Sequence, residues 1–323
     1  MKAVVYHRYG SPEVLALEDI EKPVPAADEV LIKVHAMSVN PIDWHYMKGS
    51  PYIMRLGKGL RRPKDKRIGV DFAGTVEAVG ENVTRFKPGD EVFGGKDGAF
   101  AEYVTEREDR GLALKPANIT FEQAASVAVA ATTALQALRD KGHLQAGQKV
   151  LVNGASGGVG TFTVQIAKTL GAEVDGVCST RNVEMVRSIG AGHVFDYTKE
   201  SYVESGRQYD LVIDMIGNHS LMTNRRVLSP NGRFVIVGGP KGNWLGPLTA
   251  VVKAMMLSPF VGQKFTMLLA EFKQKDMAFL GDLLETGKVT PVIDRRYRLS
   301  EMPAAMAYLE EGHARGKIAI TLE

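Results

Sequence analysis

The chain reads as an α/β protein in two parts, a small barrel-like β domain and a doubly wound parallel sheet. Two patterns carry that reading. The first third alternates short β-rich runs with Gly, Pro and Asp punctuation, as a small all-β unit does. From Lys149 onward strands alternate with helices, which calls for βαβ units and a parallel sheet. A length of 323 residues accommodates two domains. The boundaries fall at 1–122, 123–270 and 271–323, the last segment rejoining the first domain.

The β runs are "KAVVYH", "EVLIKVHAMSV", "DFAGTVEAVG", "DEVFGG" and "AFAEYV". "TFEQ" then forms a capping box, with Thr120 as N-cap and Gln123 at N3, before the Ala-rich helical run "AASVAVAATTALQAL". "KVLVNG" is a strand. "GVGTFTVQIAKTLG" is a helix with Val159, Phe162, Ile166 and Leu170 on one face and Gly171 at its end. Strand "AEVDGVCS", helix "NVEMVRSIGA", strands "HVFDY" and "YDLVIDMIG", a helix through Arg226 and strand "RFVIVGG" follow. "QKFTMLLA" (Gln263 to Ala270) adds an edge strand, and the tail from Val289 returns to short strands with one helix.

Composition narrows the function. Forty Lys+Arg against 37 Asp+Glu leave a net charge of +3, too little to argue for nucleic acid. The basic run Lys58 to Arg67 reads as a solvated loop. The one cysteine, Cys178, rules out a disulfide framework or a Cys-rich structural zinc site within one chain. The N-terminus lacks the pattern of a signal peptide. The apolar stretch Trp244 to Gly262 is interrupted by Pro247, Lys253 and Pro259, which argues against a bilayer span. The expectation is a cytoplasmic protein without membrane or nucleic-acid partners.

Between strand and helix lies "NGASGGVG". Set on the pattern G-x-G-x-x-G, it is Ala155-Ser156-Gly157-Gly158-Val159-Gly160, with alanine in the first glycine place and Gly154 before it. The strand before it, the helix it opens and the second βα unit after it make it a dinucleotide turn. Gly157 lets the backbone approach a diphosphate, Gly160 lets helix and strand pack closely, and the helix N-terminus favours anions. About twenty residues on, an acid would accept from a ribose 2′-hydroxyl. Here "GVCSTRN" has no acid between Asp175 and Glu184, and Asp175 lies too early, inside the strand. Ser179, Thr180 and Arg181 offer donors suited to a 2′-phosphate. The expected cofactor is NADPH.

Together with "SVNPIDWHYMKG", "GVDFAGTVEAVGENVTRFKPGDEVFG", "GAFAEYV" and "EEGHARGKIAI", these motifs resemble the medium-chain dehydrogenase/reductase superfamily, in its zinc-free quinone oxidoreductase branch, over nearly the whole length. The resemblance implies a GroES-like β-barrel catalytic domain interrupted by a Rossmann domain, with the active cleft between them. The zinc alcohol dehydrogenases of that superfamily carry ligands at places that here look like Asn40, Val70 and a position near Val129. Valine cannot ligate, and Asp71 or His45 alone does not rebuild a tetrahedral site, so no metal is expected. Without a Lewis acid, alcohol oxidation is disfavoured. A quinone or α,β-unsaturated carbonyl takes hydride at one end while charge develops on an oxygen that hydrogen bonds stabilise. The alternatives are a zinc-free NADP-dependent alcohol dehydrogenase or carbonyl reductase, and a non-catalytic NADPH-binding scaffold or sensor.

The site residues follow. Asn40 either faces the nicotinamide or simply forms the Asn-Pro turn. Asp43 orients Asn40 or His45, or caps a helix. His45 and Tyr46 are the nearest titratable donors to that cleft. By family analogy Thr133 approaches the nicotinamide ribose. Tyr197 lies against adenine or packs in the core, and Gly217 and Gly238, following strand ends, are backbone contacts. Arg315 and Lys317 reach the cofactor phosphates from the other domain or form a basic surface turn. The apolar edge strand predicts a homodimer, which the resemblance also implies.

Overall fold

The structure is a computed structural model that describes residues 1–238 and 262–322. The interrupted apolar run Trp244 to Gly262 therefore lies, except for Gly262, outside the described residues. The chain divides into two units, Met1–Thr132 with Glu271–Glu323, and Thr133–Ala270. The second unit thus begins inside a helix, at Thr133 rather than at residue 123, ten residues earlier.

Unit 1 opens with β1 (Lys2–Tyr6) and β2 (Leu15–Asp19), an antiparallel pair. There follow β3 (Glu29–Val39), α1 (Pro41–Lys48), the short α2 (Arg55–Lys58), β4 (Asp71–Val79), β5 (Glu91–Gly95), β6 (Tyr103–Arg107) and β7 (Leu112–Leu114). β6 starts later than the run "AFAEYV" predicts, because Phe100 and Ala101 bind back to β1 instead: Val4 N donates to Phe100 O at 2.8 Å and Ala3 bridges Ala101.

Thr120 caps α3 (Phe121–Ala125), accepting from Gln123 N at 3.2 Å while Gln123 accepts from Thr120 N at 3.0 Å. The single helix predicted for the Ala-rich run is in fact two. The Ser126 hydroxyl bonds the Glu122 carbonyl at 2.7 Å, and α4 (Ala128–Gln136) starts afresh beyond it; such local bonding by serine competes with the helical ladder.

Unit 2 contains β8 (Lys149–Asn153), α5 (Gly158–Thr169), β9 (Glu173–Cys178), α6 (Val183–Ser188), β10 (His193–Asp196), β11 (Tyr209–Asp214), α7 (Leu221–Arg225), β12 (Leu228–Ile236) and β13 (Lys264–Met267). Its six strands lie in the order β10-β9-β8-β11-β12-β13, every pair parallel. That is the doubly wound order whose crevice lies at the carboxyl ends of the first strands. α5 departs from the predicted one-faced helix, since Gly160 to Ala167 are all buried. Its polar side chains tolerate this by bonding their own helix: Thr163 Oγ1 to Val159 O at 2.9 Å and Gln165 Nε2 to Thr161 O at 3.0 Å.

The chain returns to unit 1 with α8 (Gln274–Glu285), β14 (Ile293–Arg298), α9 (Met302–Glu311) and β15 (Lys317–Thr321). The eleven-residue β3 is the spine of the larger sheet. Its first half pairs β6 and its second half β15, while β4 runs along it on the other side. This topology seats β15 beside the end of β3 and the start of α1.

Candidate functional site: a nucleotide turn and a buried polar cluster

In unit 2, β8 ends at Asn153 and the chain turns at Gly154, whose φ of +93° suits glycine. The turn glycine is therefore Gly154 rather than a residue in the place of Ala155, which is wholly buried with its amide on Val177 O at 3.0 Å. A Cβ on Gly160 would lie 2.1 Å from Gly154 O, so helix and turn approach as only glycine permits. At Gly157, the N-cap of α5, an added Cβ would meet nothing closer than Gly154 O at 3.5 Å. The cradle is open there, in front of the first amides of a twelve-residue helix. Those amides, from Gly158, Val159 and Gly160, lack acceptors within the helix and suit an anion.

β9 ends beside this turn, and Ser179, Thr180 and Arg181 follow it. Asp175 bonds the Arg207 guanidinium and the Tyr209 hydroxyl, both at 2.8 Å, and so does not serve a ribose. Thr180 departs from expectation: its hydroxyl donates to Asp196 Oδ2 at 2.6 Å and has no hydrogen left for a phosphate. Asp196, at the end of β10, also accepts from Thr198 N and Oγ1 at 3.1 and 2.8 Å and lies 3.2 Å from Lys199 Nζ. Those donors, the Thr180 hydroxyl first, hold its carboxyl well below the usual carboxylate range. The sequence rule looks for an acid at the end of the second strand, and this one comes from the third. Ser179 is half-buried and Arg181 exposed.

Tyr197 is 56% exposed and open to a flat ring, not packed in the core. Gly217, at φ +69°, gives its amide to Asp214 Oδ1 at 3.0 Å. Gly238 packs on Met215, where a Cβ would come within 2.3 Å of the carbonyl oxygen. Asn153 and Asp214, joined at 2.9 Å, tie the ends of β8 and β11. Sequence reasoning passed over both, although polar residues closing two apolar strands were the signal. Thr133 sits half-buried in α4. Cys178 is buried, which pushes its thiol up to about 11 and leaves it no nucleophile near neutral pH.

In unit 1, Asn40 caps α1 from the end of β3, and its amide donates to Asp43 Oδ2 at 2.7 Å. Its side chain turns inward. Nδ2 donates to Asp71 Oδ2 at 2.9 Å and Ser38 O at 3.3 Å, and Oδ1 accepts from Lys317. Only 2% exposed, Asn40 gives both Nδ2 hydrogens and one Oδ1 lone pair to this cluster within unit 1. Lys317 does not reach a phosphate: its ammonium is buried between Asn40 Oδ1, Asp71 Oδ2 at 3.2 Å and Val39 O at 3.5 Å. Asp71 further accepts from Ser38 Oγ and Val129 N, each at 2.9 Å. Arg315 is exposed on the turn before β15 and donates its amide to Asp294 at 2.9 Å.

Asp43 is fully buried with Oδ1 unpartnered, and burial, then the Asp71 carboxylate, pushes its carboxyl well above the usual range. His45 and Tyr46, two and three residues further along α1, are half-buried. His45 Nδ1 lies 2.7 Å from Ser50 O and so carries the ring hydrogen, since a carbonyl only accepts. Burial raises the Tyr46 hydroxyl, which keeps it protonated, and the Lys58 ammonium sits 4.1 Å over its ring. The structure thus gathers Asn40, Asp43 and Lys317 with Asp71 and Ser38, which the sequence reading did not assign. A charged residue opening the apolar strand "DFAGTVEAV" was the visible sign.

A β unit interrupted by a doubly wound unit with this turn defines the medium-chain dehydrogenase/reductase class. Residues 26–117 match the alcohol dehydrogenase GroES-like domain, and residues 189–320 match a zinc-binding dehydrogenase family. The chain is 35% identical over 340 residues to the chloroplast envelope quinone oxidoreductase homolog of Arabidopsis thaliana, covering 99% of this chain and 98% of that one. A mitochondrial NAD(P)H oxidoreductase of Mus musculus is 34% identical over 362 residues, covering 100% and 89%. The solved quinone oxidoreductase from Coxiella burnetii superposes with a TM-score of 0.88 at 31% identity, covering 100% and 99%. The chain belongs to the quinone oxidoreductase-like branch of that superfamily, and it is an oxidoreductase.

The second family's description implies zinc, and the donor set does not fit it. Among the described residues no three His, Cys, Asp or Glu side chains converge. Asp71 and Asn40 already share an ammonium, and Val70 and Val129 are apolar. Nor is any helix among the described residues long and apolar enough to cross a membrane.

Proposed function

We propose that the protein is an NADPH-dependent reductase of quinones or α,β-unsaturated carbonyls that operates without zinc. The observation that carries this is the corner after β9. Asp175 is engaged by Arg207 and Tyr209, Ser179 is joined through Asn182 to Ser156 of the turn, Arg181 follows exposed in the same segment, and no acid closes the second strand. When bound, the reduced nicotinamide supplies a hydride. The chain's own part is to bind and to manage protons. The amides of α5 meet the diphosphate, and Arg181 with Ser179 meets the 2′-phosphate. Tyr46, held protonated, and His45, whose Nδ1–H bonds Ser50 O, are the proton-handling groups. A conjugated acceptor suits such a chain, because its developing oxyanion needs hydrogen bonds rather than a metal. The relatives named quinone oxidoreductase favour the same acceptor.

The test is loss of nicotinamide absorbance when protein, NADPH and 1,4-benzoquinone or a short enone are mixed. Turnover is expected. Tight NADPH binding with no turnover over a broad acceptor panel, or NADP reduction by simple alcohols in its place, would reject the proposal.

A further inference from the structure

Two hydroxyls of unit 2 lie far apart in sequence and close in space. Ser156 is in the turn between β8 and α5, and Ser179 follows β9. Asn182, the residue before α6, joins them: its Nδ2 lies 3.1 Å from Ser156 Oγ and 3.3 Å from Ser179 Oγ. Its backbone amide donates to Ser179 O at 2.9 Å, so the segment from Ser179 to Asn182 is closed on itself. The side chain is 4% exposed, and its Oδ1 is buried with no hydrogen-bond partner. An amide nitrogen bears two hydrogens and no lone pair. Each serine oxygen therefore accepts from Asn182, and each hydroxyl hydrogen points elsewhere. An orphaned buried amide oxygen is costly, and in a native fold such a group calls for a reason beyond packing.

We propose that Asn182 is a positioning residue for the nucleotide. It holds Ser156 and Ser179 as a pair of hydroxyl donors, one on the diphosphate turn and one at the 2′-phosphate corner, with their hydrogens turned outward before the ligand arrives. The inference rests on the NADPH reading above. It adds that the two anion-binding segments are coupled through one amide.

The experiment is titration calorimetry of the full chain with NADPH and with NADH. The variants are Asn182→Ala, Ser156→Ala/Ser179→Ala, and the three substitutions combined. In the otherwise native chain Asn182→Ala is expected to weaken NADPH roughly tenfold, the scale of a charge-assisted hydrogen bond. In the double-serine background the same substitution is expected to change affinity less than about twofold, since the hydroxyls it positions are gone. An equal loss in both backgrounds overturns the proposal, because a purely structural asparagine would act regardless of the serines.

Asn182→Asp keeps the shape and removes both amide hydrogens, which draws the hydroxyl hydrogens inward. A loss at least as large as with alanine is expected, and native affinity in this variant would also overturn the idea. If the native chain binds NADH as tightly as NADPH, the NADPH preference fails while the Asn182–Ser156 coupling, read with either nucleotide, still stands. If it binds neither, both fall.

Discussion

A buried ammonium requires acceptors on several sides, and Lys317 finds them on Asn40, Asp71 and Val39. Removing one partner of such a pair leaves a desolvated charge, at a cost of about 3–5 kcal/mol. Lys317→Met is therefore expected to lower the urea midpoint of unfolding sharply, while Arg315→Met, on the exposed turn, changes little. Equal, small effects would show that the ion pair contributes nothing. Asp43 makes a second prediction, with a definite sign. Its folded-state pKa is displaced upward by burial, ahead of Asp71. The stability linked to it is therefore fully present below the unfolded value near 4 and is lost as pH rises through the displaced one. Asp43→Asn, which does not titrate, should gain on the native chain as pH goes from about 4 to 8. Unfolding midpoints that shift in parallel over that range would contradict this.

At the scale of elements, the glycines after β8 separate two jobs. Gly160 abuts Gly154 O, whereas Gly157 faces open space with an extended backbone any residue adopts. Gly160→Ala should therefore lower thermal stability, and Gly157→Ala should leave stability intact while weakening nucleotide binding. Calorimetry and thermal melts read the two apart, and a folding defect in Gly157→Ala would refute the assignment. Strands, capping box and turn were legible because period, caps and glycines are local signals. What was not legible is where side chains turn. Asn40, Thr180 and Lys317 each carry the chemistry expected of a ligand contact, yet each gives a hydrogen to an acid distant in sequence, Asp71 or Asp196. Likewise α5 reads as one-faced because its threonines look solvent-seeking, while bonds to their own helix let them be buried.

For the whole molecule, the edge that β13 forms among the described residues matters most. Among the described residues β13 pairs only β12, and Leu269 just beyond it is 80% exposed. We propose that two copies of the chain meet at this edge, since a strand that ends the sheet among the described residues invites pairing and a two-fold axis satisfies both copies. Light scattering should give the mass of two chains, and Met267→Lys should split them; a monomeric native chain or an undisturbed variant would reject the site.

In the proposed reaction hydride reaches the far end of a conjugated acceptor without a metal. The decisive measurement supplies NADPH deuterated at both C4 positions, with a short enone, and locates the label in the product by mass spectrometry and NMR. One deuterium on the carbon β to the carbonyl is the expected result. Deuterium on the carbonyl carbon, or an unlabelled product, would contradict it.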